Sequence, residues 1–450
     1  MLPVEKKAVY GLAGIYGFRM LGLFMILPVF ALYASHLEAA TPLLIGLAIG
    51  IYGLTQALLQ IPFGFLSDRI GRKPVIIGGL LLFAIGSVVA ALADDIWWIL
   101  IGRAIQGSGA IAAAVMALAA DLTRETQRTK AMATIGMTIG LAFAISLMVG
   151  PVLDAYFGVS AIFWLTAGLA LFGILLVVFV IPTPDAKKRH HDALPLPEMF
   201  KNVLGNSQLL RLDYGIFSLH LMLTAMFLAV PLLLRDLGLP LMQHSLMYLS
   251  VLVVSVIGMV PFIILAEKYG HMKTVFTSAV MIVSLSGIMM YVLASSWILA
   301  GLVLVVFFTA FNLLEATLPS LISKTAPVDA KGTAMGVYST SQFFGSFLGG
   351  VLGGWVHQQF GYHWVFVASA VIGLLWFAVA LGMDKPGQYR TRVVSLQGLS
   401  DDKITALKKQ LDELKGVIEA VVVQKEKVAY LKLDRNDLDE SMLEELLPGR

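Results

Sequence analysis

Gly64-Phe-Leu-Ser-Asp-Arg-Ile-Gly-Arg-Lys-Pro74 is a short polar stretch between two long apolar runs, 43–66 and 75–93. Each run is long enough to cross a bilayer as a helix, which takes about 20 apolar residues. The link between them is so short that the two helices must lie side by side and antiparallel. Arg69, Arg72 and Lys73 mark it as a cytoplasmic loop, because short basic loops are retained inside. A topology signal alone leaves Asp68, Gly64 and Gly71 unexplained. An acid among cations at a helix end can hold a salt bridge or face the N-terminus of a neighbouring helix, and glycines let another backbone approach closely. The stretch therefore reads as a gate latch.

Composition agrees with a polytopic membrane protein. The 450 residues are 58% hydrophobic and 14% charged, with mean hydropathy +0.84, whereas soluble chains carry about 25% charged residues. The absence of cysteine excludes disulfides, thiol catalysis and thiolate metal sites. The apolar run that begins at Val9 is too long for a cleaved signal and reads as the first span. Twelve spans are expected, near 9–34, 43–66, 75–93, 96–119, 130–153, 159–181, 212–235, 243–265, 274–294, 297–320, 332–355 and 362–382, all helical because unpaired backbone cannot face lipid. Lys6, Lys7, Arg124, Arg128, Lys130, Lys187, Lys188, Arg189, Lys268, Lys273, Lys324, Lys331 and Lys385 then fall on the side of the 64–74 loop, and Arg235 opposite. Both termini are expected in the cytoplasm, with the chain multi-pass in a bacterial inner membrane.

The halves echo each other. Glu267-Lys268-Tyr-Gly270-His271 stands where Asp68-Arg69-Ile-Gly71-Arg72 stands in the first half, and Trp297 is displaced from Trp98 by the same interval. Two six-helix halves running the same way imply parallel repeats about an axis along the membrane normal. The expected division is a first half over 1–185, a linker over 186–211, a second half over 212–385 and a C-terminal module over 388–450. The linker, with Pro195, Pro197 and the basic run 187–191, reads as a solvated segment near anionic headgroups. In the module, a strand over 392–397, an amphipathic helix carrying Ile404, Leu407, Leu411 and Leu414, a hairpin of strands 418–423 and 428–433 turning at 424–427, and a helix over 438–447 give the order βαββα. That order fits most of a ferredoxin-like split βαβ. Such domains carry metals on a cysteine pair, which is missing, so the module reads as regulatory or stabilising.

The 64–74 stretch follows the G-x-L-x-D-R-x-G-R-[RK] pattern of the major facilitator superfamily, and about the first 385 residues resemble that family. Gly102-Arg103-Ala-Ile-Gln106-Gly107 matches its R-x-x-Q-G motif on the fourth helix, where the arginine is linked to proton coupling or to orienting polar groups; the spacing sets Arg103 and Gln106 on one helix face. Gly140 with Gly150-Pro151 resembles the antiporter motif of drug:proton exchangers, although Asp154-Ala155 stand where two further glycines are expected. By the same resemblance Asp121 pairs with Arg72 to complete a cluster with Asp68.

Charges inside spans are costly and are functional candidates. Arg19 holds an anionic substrate group or an acid on another helix, or forms a fixed ion pair. Glu315 reads as the one acid deep in the second half, a carboxyl able to load and release a proton, with Arg19 or Arg103 as a competing permanent partner. His220 is structural or a second titrating group. Gln56, Gln60, Asn312 and Gln342 line a polar cavity or bind helices together. The resemblance implies a monomeric secondary transporter that exports small amphipathic compounds in exchange for protons by alternating access. The alternatives are a symporter or uniporter of sugars or other metabolites, and a membrane sensor acting through its C-terminal module. The expected partners are a small-molecule substrate, protons and the bilayer, with a cytoplasmic ligand or the transporter body for the module. No cofactor, metal, nucleic acid or enzymatic constellation is implied.

Overall fold

The computed structural model describes residues 1–183, 196–327, 330–384, 389–396, 401–423, 428–434, 442, 443 and 446. The first half holds α1 (Pro3–Phe24), α2 (Leu27–Ala34), α3 (Pro42–Ile70), α4 (Arg72–Ala91), α5 (Ile96–Ser108), α6 (Ala112–Asp121), α7 (Glu125–Phe157) and α8 (Val159–Phe179). After α9 (Leu196–Gly205), the second half holds α10 (Ser207–Asp236), α11 (Leu241–Glu267), α12 (Met272–Leu293), α13 (Trp297–Thr325), α14 (Lys331–Phe360) and α15 (His363–Leu381). Beyond them lie β1 (Tyr389–Ser395), α16 (Asp401–Glu413), β2 (Val417–Val423) and β3 (Val428–Asp434).

Among the described residues, eleven helical stretches are long and apolar enough to cross a membrane. Two of them are broken helices. The first breaks between α1 and α2 just ahead of Pro28, which supplies no donor to the preceding turn, and another breaks between α5 and α6 at Gly109. Of the twelve expected spans, 332–355 falls within α14, a helix of 30 residues. Its serines, glutamines and glycines make it less apolar than the eleven.

At α3, α5, α10 and α13 a polar side chain satisfies free N–H groups of the first turn. Asp95 Oδ1 accepts from Trp97 N at 2.8 Å and Trp98 N at 3.0 Å. Ser296 Oγ accepts from Leu299 N at 3.3 Å at the matching place in the second half. Gly71 (φ +101°) and Gly270 (φ +74°) turn the chain at equivalent loops, a conformation that side-chain-bearing residues rarely adopt.

Differences from the sequence reading are local. The first helix begins at Pro3, ahead of residue 9, and β1 begins at Tyr389, ahead of 392. Part of the segment read as solvated linker is helical, since α9 occupies Leu196–Gly205 and buries Val203. Prolines pointed to a loop there, but Pro197 sits in the first turn of α9, where its missing N–H costs nothing. The basic run 187–191, the turn 424–427 and most of 438–447 lie outside the described residues. In the C-terminal module β3 lies between β1 and β2, antiparallel to both. β1 and β2 are therefore parallel, joined across the sheet by α16, and Leu396, Ile404, Leu407, Leu411, Leu431 and Leu433 form its core.

The two halves meet through α3 and α14, which run antiparallel. A Cβ on Gly50 would meet Phe347 O at 2.6 Å, one on Gly53 would meet Phe343 O at 2.5 Å, and one on Gly354 would meet Pro42 O at 2.6 Å. Leu43 N–H donates to Gln358 Oε1 at 3.3 Å in the same seam. The contact uses the beginning of α3, whereas the 64–74 loop lies at its other end. The molecule is thus closed at the end remote from that loop. Toward the loop, a Cβ on Gly332 or Gly336 of α14 would meet nothing within 4 Å.

Candidate functional site

In the second half, three helices bring Glu315, His220 and Gln342 together. Gln342 Nε2 donates to Glu315 Oε1 at 3.3 Å and lies 2.8 Å from His220 Nε2. His220 Nδ1 stands 3.9 Å from Glu315 Oε2. The His220 ring packs 6.1 Å from that of Phe311, one turn before Glu315 on α13. The side chain of Glu315 is 37% exposed although Oε2 itself is buried without a hydrogen-bond partner. The carboxyl therefore borders open space instead of being sealed in packed helices. Asn312, also on α13, turns to Ser255 on α11, donating to its Oγ at 3.0 Å.

The first half presents the opposite charge. Arg19 on α1 is buried, and its Nη2 donates to Gln56 Oε1 on α3; Gln56 Nε2 in turn donates to Gln60 Oε1 at 3.1 Å. Its Nε and Nη1 are buried without a partner. Arg103 is buried on α5 and donates to Ala48 O at 3.3 Å, Ile49 O at 3.4 Å and Gln106 Oε1 at 3.1 Å, while Gln106 Nε2 donates to Ser87 Oγ at 2.7 Å. The guanidinium carbons lie 5.7 Å (Arg19) and 5.1 Å (Arg103) from the centroid of the Tyr52 ring, so one aromatic face system serves two buried cations. Glu315 pairs with neither arginine. Its partners come from its own half, so the competing reading of a permanent Arg19 or Arg103 pair does not hold in this conformation.

Two further sequence motifs are built as follows. Arg72, leading α4, forms ion pairs with Asp68 and, through Nε at 3.2 Å, with Asp121 Oδ2; its Nη1 also donates to Ser67 Oγ at 2.7 Å. Lys73 Nζ donates to Ile181 O at 2.6 Å, Arg69 is exposed, and a Cβ on Gly64 would have only Ala113 within 4 Å. These partners all belong to the first half. The second half repeats the arrangement with Lys324 Nζ 3.2 Å from Glu267 Oε1. On α7, which contains Pro151, Gly150 packs against the backbone of Met25 at the break between α1 and α2, and Gly140 faces open space.

A profile described as Major Facilitator Superfamily matches residues 12–350 and, in an overlapping second match, 320–411. The chain belongs to the major facilitator superfamily. It is 46% identical over 435 residues to the inner membrane transport protein YajR of Escherichia coli (strain K12), covering 96% of this chain and 95% of that one. It is 26% identical over 341 residues to the multi-drug resistance efflux pump PmrA of Streptococcus pneumoniae serotype 4 (strain ATCC BAA-334 / TIGR4), covering 72% of this chain and 82% of the pump. Among solved structures, a D-xylose-proton symporter superposes with a TM-score of 0.69 at 16% identity, covering 85% of this chain and 98% of the symporter, a likeness of fold.

Within this superfamily frame, residues that sequence reasoning missed complete the site. Asp213 is a second buried acid of the second half, 5% exposed, with both carboxylate oxygens unpartnered. Glu315 is therefore not the one acid there. Asp213 stands at the edge of its apolar run, where composition alone makes it look interfacial. Tyr52, Tyr338 and Ser255 were also missed. For Tyr52 a signal existed, since it lies four residues before Gln56 and so on the same helix face.

Proposed function

We propose that the chain is a proton-coupled secondary transporter of the bacterial inner membrane that exports small, amphipathic compounds by alternating access. Twelve spans, with α14 as the eleventh, form two six-helix halves over 1–185 and 212–385, and both termini face the cytoplasm. The ferredoxin-like module over 388–450 rests on the cytoplasmic side. The protein acts as a monomer. With that orientation, the closed α3–α14 seam lies on the periplasmic side and the structure faces inward.

One observation carries the reading. Glu315, whose side chain is partly exposed, shares a hydrogen-bond network with His220 and Gln342 and, among the described residues, pairs with no lysine or arginine, while Arg19 across the bundle keeps unpartnered donors. Charges held in spans without partners are costly. A proton on Glu315 or an anionic group on Arg19 relieves that cost, and each changes the balance between the two halves. A ligand moves such an equilibrium only by binding one conformation better than the other. Relatedness to an efflux pump supports export over uptake.

The test is transport in proteoliposomes across a compound panel, with and without a pH gradient. Glu315→Gln should abolish gradient-dependent flux in a variant that purifies as the wild type does. Unchanged flux would remove Glu315 from the mechanism, and counterflow indifferent to pH would favour a uniporter.

A further inference from the structure

We propose that Phe143 is a gate: packed on Phe227 and Phe308, its ring seals the chamber of Glu315 and His220 from the end remote from the 64–74 loop. The inference rests on alternating access about that chamber. Phe143 belongs to α7 in the first half, whereas Phe227 and Phe308 belong to α10 and α13 in the second. Its ring centroid lies 6.3 Å from that of Phe227 and 6.2 Å from that of Phe308, and Phe24 backs it edge-on at 5.0 Å. Phe227 and Phe308 lie 6.2 Å from each other, so three rings from two halves meet in one layer.

The layer borders the carboxyl. On α13, Leu304, Phe308, Phe311 and Glu315 recur at helical spacing and share one face. The first three are buried, at 4% exposure or less, and the side chain of Glu315 is 37% exposed. On α7, Gly136, Gly140, Phe143 and Leu147 share a face in the same way. Gly136 and Gly140 are exposed, and a Cβ on either would meet nothing within 4 Å, whereas Phe143 and Leu147 are buried. Both helices therefore pass from open to closed within about one turn, at the ring layer. On α10, Phe227 lies two turns beyond His220 toward the remote end. Phe311 joins the layer to the polar cluster, 5.9 Å from Phe308 and 6.1 Å from the His220 ring.

This contact differs in kind from the α3–α14 seam. There glycines set backbone against backbone, and such a wall parts only when whole helices move. In the ring layer the meeting atoms belong to side chains, which change rotamer without displacing a helix. Phe227 and Phe308 also border a small apolar cavity with Met226, Val230 and Leu304, so their packing is incomplete on one side. A constriction of apolar groups excludes water and ions while its members stay together. Protons and solute in the chamber therefore reach the remote side only after Phe143 leaves Phe227 and Phe308.

The test uses the full chain, which has no cysteine, in sealed vesicles presenting either the remote side or the loop side. Glu315→Cys supplies a single thiol in the chamber. With Phe143 in place, an impermeant maleimide should label it from the loop side and not from the remote side. Phe143→Ser removes the ring and leaves a polar group that water can occupy, so labelling should come from both sides. Phe143→Leu, which stays apolar, should restore one-sided labelling. A thiol at the seam, Ser346→Cys, separates a lost gate from a shifted equilibrium: its labelling from the remote side should be the same with and without Phe143→Ser. One-sided labelling in Phe143→Ser refutes the gate. So does a matching rise at Ser346→Cys, which would mean that the ring only holds the halves together. Proton entry is read separately, with Glu315 native and no compound present. Phe143→Ser should collapse an imposed pH gradient faster than wild type, and adding Glu315→Gln should abolish the excess. Absence of any excess would refute the gate as a barrier to protons. An excess that survives Glu315→Gln would instead overturn Glu315 as the proton site, whatever the labelling shows.

Discussion

Gly350→Ala is expected to open the end of the molecule remote from the 64–74 loop. An alanine Cβ at 350 would press on Gly46 O, and would lie 3.0 Å from Gly50 N and 3.1 Å from Gly50 Cα, where ordinary contact begins at 3.4 Å. All three are backbone atoms of α3 and cannot rotate away, so the two helices must part. Overpacking of this kind costs about 1–3 kcal/mol, and it falls only on the conformation in which α3 and α14 touch. The ratio of open to closed should rise by about 5–150-fold. The chain has no cysteine, so Ser346→Cys introduces a unique thiol in the seam, where Ser346 Cβ lies 3.4 Å from a Cβ built on Gly53. Labelling by an impermeant maleimide from the remote side of sealed vesicles reads the open fraction. Gly336→Ala is the control, since its Cβ meets nothing within 4 Å. An unaltered labelling rate in a folded Gly350→Ala variant, or the same rise in Gly336→Ala, would refute the idea that backbone contact in this seam sets the conformation.

Other expectations follow from the same geometry. Arg72→Leu should impair flux more than Asp68→Asn, because it removes partners of Asp68, Asp121 and Ser67 at once; equal effects in a vesicle exchange assay would contradict that ordering. Arg19→Met should weaken binding of anionic compounds while leaving neutral ones less affected, measured by isothermal titration across the panel; uniform losses would point to a packing role. Lys432 Nζ donates to Thr325 O and Ala326 O at 3.4 Å each, at the C-terminal end of α13 where the helix dipole favours a cation. Lys432→Ala should therefore loosen the C-terminal module, seen as faster amide exchange in β3 with the spans unchanged; undiminished protection would show that the docking relies on other contacts.

What could be read from the residues alone was what depends on near neighbours in the chain. Hydropathy located eleven spans, and α14 at 332–355, because a helix in lipid satisfies its backbone within itself. Local spacing placed Arg103 beside Gln106 on one helix face. Proline counts misread α9, since a proline's effect depends on whether it falls in the first turn. Pairings between helices far apart in sequence were not legible. Periodicity names the face a residue occupies but not the rotation of that face or the depth at which two helices cross. Only the packed bundle joined Glu315 to Gln342 and His220 and left the guanidinium of Arg19 to Gln56 and Tyr52. It also buried Asp213 and closed the seam of α3 and α14 on their glycines.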